Sequence, residues 1–76
     1  MQIELSSKEI GSIISGLEHD YDHNAYSGSA EFLVKMITHQ LELLGSDSDL
    51  FKFYKDKFDF YLGEFYYYRE EEKANS

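Results

Sequence analysis

His19-Asp20-Tyr21-Asp22-His23 is the cluster in this chain whose residue types and spacing come nearest to a reactive site. A separation of four positions puts His19 and His23 on one helical face, and Asp22 follows His19 by three, so two imidazoles and a carboxylate could approach zinc or a similar divalent ion. The cluster lacks the second half of a zinc signature and the Glu of the H-E-x-x-H pattern. A solvated last helical turn accounts for the same residues, because cationic histidine suits the negative end of a helix dipole. The expectation is no metal and no cofactor, with His19, Asp22 and His23 as the candidate ligands should one bind. His39 stands alone and reads as a boundary residue.

Other chemistry finds less support. The chain has no Cys, and its serines stand mostly at cap and turn positions where their hydroxyls already have a structural role. No glycine-rich phosphate loop follows a strand. A carboxyl group acting as general acid needs a desolvated pocket to raise its pKa, and three short helices leave little room for one. The sequence therefore reads as a non-enzyme.

The elements that position these groups are well marked. Ser6-Ser7-Lys8-Glu9 has the form of a capping box, with Leu5 and Ile10 placed as a hydrophobic staple. Ile10, Ile13, Ile14, Leu17 and Tyr21 then recur as one helical stripe, which predicts a first helix over about residues 7–23. Before it, Met1, Ile3 and Leu5 alternate with Gln2 and Glu4 as a short extended arm. Gly11 and Gly16 weaken the helix but permit a close neighbour. Asn24 to Ser29 carries turn residues, with Ser27 or Ser29 available as a cap. Phe32, Leu33, Met36, Ile37, Leu41 and Leu44 predict a second helix over about 30–44, ended by Gly45 in a left-handed conformation. Ser46 to Asp49 supplies caps and negative charge for a third helix.

That third segment holds ten of the chain's thirteen aromatic residues, between Phe51 and Tyr68. Phe and Tyr favour strands, and a hairpin turning at Lys55-Asp56-Lys57 is conceivable, but the tripeptide lacks the Gly or Asn of tight hairpins. Phe51, Tyr54, Phe58, Tyr61, Phe65 and Tyr68 step by three and four in a heptad-like seam, so a helix over about 48–70 is expected. Lys52 with Asp56 and Lys55 with Asp59 are placed as flanking ion pairs. Glu70, Glu71 and Glu72 oppose the dipole, which predicts a disordered tail over 71–76. Phe53, Phe60 and Tyr67 form a second stripe turned away from the seam, and an exposed apolar stripe of this kind marks an interface. The fold class expected is all-α: a three-helix bundle, or a helical hairpin with a long aromatic third helix, in one domain over 1–76.

Fifteen carboxylates against seven Lys or Arg give a formal charge of -8. Such a surface repels phosphate backbones and favours a basic partner. Lys52, Lys55 and Lys57 among Phe and Tyr resemble a stacking surface for single strands, yet Asp56, Asp59 and Glu64 cancel their charge. No apolar run reaches the length of a membrane span and the start lacks a signal core. A soluble, cytoplasmic protein is the expectation, and a chain this short without disulfides leans on self-association, so a homodimer is expected.

The opening IELSSKEIGSIISGLE, Ile3 to Glu18, resembles the start of short acidic helical proteins encoded by phages and mobile elements. The resemblance covers about a fifth of the chain. It implies an inhibitor of host defence, of the anti-CRISPR or anti-restriction type, some of which mimic DNA; the aromatic third helix departs from a purely electrostatic mimic. On this reading Phe53, Phe60 and Tyr67 anchor a partner such as a nuclease or other nucleic-acid-binding protein, while Asp20, Asp22, Asp56, Asp59 and Glu64 meet its basic surface. The alternative is a homodimeric structural or regulatory protein closed by the same stripe.

Overall fold

A computed structural model describes residues 5–75 of the chain as three helices, α1 (Ser7–His23), α2 (Ser27–Leu44) and α3 (Asp49–Ala74), with no strand among them. The expected all-α fold is therefore the observed one, and residues 51–61 belong to a helix, not a hairpin. Of the extended arm, Met1 to Glu4 lie outside the described residues. No helix among the described residues is long and apolar enough to cross a membrane.

Local chemistry sets the boundaries. Ser6 caps α1 as its sequence requires: its Oγ accepts from the Glu9 amide at 3.2 Å, while its own N–H donates to Glu9 Oε1 at 3.0 Å. Gly45 ends α2 with a positive φ of 77°, a conformation that costs glycine little. Ser48 opens α3, its Oγ accepting from the Leu50 amide at 3.2 Å.

Two boundaries differ from expectation for one reason. α2 begins at Ser27, three residues before the expected Ala30, and α3 continues to Ala74 where residues from 71 onward were expected to be disordered. Glu72 accepts from the Ser27 N–H at 3.0 Å and from the Ser27 hydroxyl at 2.6 Å. The last turns of α3 thus supply the anion that the first turn of α2 lacks. A carboxylate unfavourable at the C-terminal end of its own helix becomes favourable at the N-terminal end of the neighbour.

The core draws on all three helices: Ile10, Ile14 and Tyr21 of α1, Ala30, Leu33 and Ile37 of α2, and Tyr61 of α3 are buried. α2 lies between the others and runs antiparallel to both, as its contacts with Ser7 and Glu72 require. α1 and α3 run parallel, and no Cα of one comes within 8 Å of the other. Long side chains of the α3 seam, Tyr61 and Tyr68 among them, reach part of the way across to Tyr21 and Glu18. Ile13 and Phe32, placed in the apolar stripes by their spacing, are instead exposed, because each falls on the shoulder of its stripe, beyond the reach of a neighbouring helix.

Candidate protein-binding face along α1 and α3

The seam and the second stripe of α3 separate in space. Phe51, Tyr54, Phe58, Tyr61, Phe65 and Tyr68 are all buried or half-buried, whereas Phe53, Phe60 and Tyr67 are 52%, 57% and 56% exposed. At 100° per residue the three exposed rings drift by only about 20° per heptad, so they form one band about 21 Å long. Gly63 lies in that band between Phe60 and Tyr67 and leaves bare backbone there.

Beside the band, a polar layer joins α3 to α1. Glu18 accepts from Lys57 Nζ at 2.9 and 3.2 Å and from the Tyr61 hydroxyl at 2.7 Å. Tyr21 donates to Glu64 Oε1 at 3.0 Å, and its ring meets Tyr61 edge to face at 5.3 Å. Burial, then the Glu18 hydrogen bond, pushes the Tyr61 hydroxyl above the ordinary tyrosine range, with the charge of Asp22 adding to it. Burial and the bond to Glu64 do the same to Tyr21. Lys57 also lies 4.8 Å from the centre of the Phe53 ring, which leaves that ring's lysine already engaged.

Because the α1 and α3 backbones stay apart, a cleft runs between them. Three hollows of about 570, 300 and 380 Å³ follow one another along it. Gly11, Ser15 and Tyr54 are shared by the first and second, and Glu18, Phe53 and Lys57 by the second and third. Gly11 keeps the first open to Tyr54, for a Cβ there would stand 2.8 Å from the Tyr54 hydroxyl. The far end is bordered by Asp56 and Phe60.

The structure brings some of the expected residues together and separates others. Phe53, Phe60 and Asp56 border one hollow, with Glu64 and Asp22 beside the Tyr21 and Tyr61 pair and Tyr67 two turns beyond Phe60. Asp59 faces away and pairs with Lys55 at 2.9 Å, whereas Lys52 and Asp56 do not pair. Asp20 lines a different groove, of about 360 Å³, between α1 and α2. His19 and His23 meet edge to face at 4.8 Å on the exposed end of α1. Among the described residues no three His, Asp or Glu side chains converge as a metal site.

Sequence reading gave Glu18 and Gln40 no role, and it placed Tyr21 only in the α1 stripe and Lys57 only in a stacking group. The Glu18 to Lys57 bond spans 39 positions and has no local signature. Gln40 did have one, since it lies three residues after Ile37 in an otherwise apolar stripe.

No protein-family model, curated protein or solved structure matches this chain.

Proposed function

We propose that this chain is a non-enzymatic binding protein that engages a basic protein through the cleft and aromatic band shared by α1 and α3. The observation that carries the reading is the exposed band Phe53, Phe60 and Tyr67 set among Asp56, Glu64 and Glu71 on the same side of α3. Apolar rings supply most of the affinity at such a face, and the carboxylates steer a cationic surface toward it. With Lys57 held by Glu18 and Phe53, little positive charge at the face opposes that approach. A partner whose own ligand is nucleic acid offers the required basic surface, and occupying that surface would inhibit it. The phage anti-defence class suggested by the opening segment fits this mode of action.

Self-association through the same band is the second reading. The exposed rings favour it, while the like charges around them oppose it at low salt. Titration with an arginine-rich peptide separates the two. Asp56→Lys should lower affinity roughly tenfold at low salt, and Phe60→Ala by roughly thirtyfold. Loss on Phe60→Ala with no effect of Asp56→Lys would remove the electrostatic part of the proposal. A tight dimer in sedimentation, dispersed by Phe60→Ala, would assign the band to a second copy.

A further inference from the structure

On the side of α1 turned away from α3, the groove of about 360 Å³ between α1 and α2 has a chemistry of its own. At 100° per residue Asp20 falls about 60° to one side of Leu17, while Glu18, which meets α3, falls about 100° to the other. Leu17, Asp20 and Asn24 thus line the groove from α1, and Gly28, Ser29 and Phe32 line it from α2, with Tyr26 at the turn between them. The Tyr26 ring lies where a side chain at position 28 would begin, since a Cβ on Gly28 would stand 2.5 Å from Tyr26 Cε2. Phe32 follows Gly28 by one turn, so its side chain leans back over the same face of α2. Both rings are about half exposed, at 48% and 51%. Ser29 Oγ is occupied by the Tyr26 N–H and by the Asn24 and Tyr26 carbonyls. The Asp20 carboxylate and the Asn24 side-chain amide, by contrast, make no hydrogen bond or ion pair with the described residues.

We propose that this groove binds the guanidinium of an arginine side chain presented by a basic protein, with Asp20 and Asn24 receiving its N–H groups and the Tyr26 and Phe32 rings holding its plane. Charge selects the class. The lining holds a carboxylate and no Lys, Arg or His, and the formal charge of -8 draws cations toward the whole chain. The start of α2 would by itself favour an anion, but the Ser27 N–H and hydroxyl already meet Glu72 and the Tyr26 N–H meets Ser29. A guanidinium combines a flat face that stacks on rings with a fork of donors that fits a carboxylate, and an ammonium has neither. The groove is open at the surface, which suits a side chain that stays attached to another protein. The inference rests on the partner-binding reading only for the source of the arginine, and it adds a second contact across α1 from the aromatic band.

Titration of the full chain with N-acetyl-arginine methylamide, followed by amide NMR, tests the site. Asn24, Gly28 and Phe32 should shift, and the citrulline analogue, of the same shape but neutral, should bind at least about tenfold more weakly. The lysine analogue should bind about two- to fivefold more weakly. Gly28→Ala, which puts a Cβ where the Tyr26 ring lies, should weaken the arginine analogue about two- to fivefold, as should Phe32→Ala and Asp20→Asn. All three positions are exposed; should one variant fail to fold, the other two and the wild-type ratios decide. Equal binding of the citrulline or lysine analogue, unchanged affinity in the folded variants, or shifts confined to Phe53, Phe60 and Tyr67 would overturn the proposal. An arginine-rich peptide that shifts Phe60 and leaves Gly28 unmoved would overturn it as well. Analogue binding at Gly28 in a chain that takes no such peptide at Phe60 would refute the α1 and α3 partner reading alone.

Discussion

Replacing Glu18 with Ala probes how α1 and α3 are held at a distance. The change removes the acceptor of the Tyr61 hydroxyl at 2.7 Å and both Lys57 contacts at 2.9 and 3.2 Å. Tyr61 is only 6% exposed, so its orphaned hydroxyl costs about 1–3 kcal/mol. The ion pair, with side chains 26% and 24% exposed, adds less than about 1 kcal/mol after solvent screening. A total of about 1–4 kcal/mol is a large share of the roughly 3–5 kcal/mol a core of this size supplies. Thermal unfolding followed by circular dichroism should show Tm lower by roughly 5–30 °C. Glu18→Gln keeps an acceptor for Tyr61 and should lose less than about half of that. Adding Tyr61→Phe to Glu18→Ala should restore stability, because no hydroxyl is then stranded. A Glu18→Ala cost below about 0.5 kcal/mol, or strict additivity with Tyr61→Phe, would refute the reasoning.

Stability should also fall at both ends of the pH scale. Side-chain and then backbone hydrogen bonds from Ser27 hold Glu72 below the ordinary carboxylate range, and backbone and side-chain bonds from Ser6 do so for Glu9. Folded values below unfolded ones contribute stability above the ordinary carboxylate pKa, lost as pH falls through the folded value; the protection of α3 amides after residue 70, relative to their intrinsic exchange rates, should fall with acid, and Glu72→Gln should flatten that dependence. Tyr21 and Tyr61 are raised, so their contribution is complete below an unfolded pKa of about 10 and is lost as pH climbs through the higher folded values; absorbance at alkaline pH should show both ionising above the ordinary tyrosine range. Glycine substitutions should divide by environment. Gly16→Ala and Gly63→Ala meet no atom within 4 Å and should each raise stability by about 1 kcal/mol in urea unfolding. Gly11→Ala must displace the Tyr54 hydroxyl and should fall below both.

What could be read along the chain was whatever depends on near neighbours. The Ser6 and Glu9 box, the Gly45 stop and the seam of α3 each involve residues a few positions apart, and each stands where its pattern put it. The stripe Phe53, Phe60, Tyr67 was legible for the same reason, since a helix turns its heptad positions to one side whatever lies beside it. Residues 27–29 and 71–74 were misjudged because the Glu72 to Ser27 bond crosses 45 positions. Ile13 and Phe32 were misjudged because periodicity gives the direction of a side chain but not the position of the neighbouring helix. The cleft was invisible for a related reason: tyrosines signal burial equally well whether they close a gap between helices or prop it open. The candidate face was thus half legible, in its rings and in Asp56, Glu64 and Asp22, while Glu18, Lys57 and Gln40 emerge only from the packing of the helices.

The bond between Glu72 and Ser27 has a bearing on how the chain assembles. α2 and α3 form a hairpin hinged at Gly45, and the capping acid of α2 arrives from the strand of sequence farthest from that hinge. Pairs near the hinge close short loops and form early; a pair 45 positions apart closes the longest loop of the α2 and α3 hairpin and pays its entropy last. The hairpin should therefore zip from Gly45 outward, with Glu72 fastening the open end. Hydrogen exchange should follow the same gradient, slow around Leu41 and Tyr54 and progressively faster toward Ser27 and Lys73.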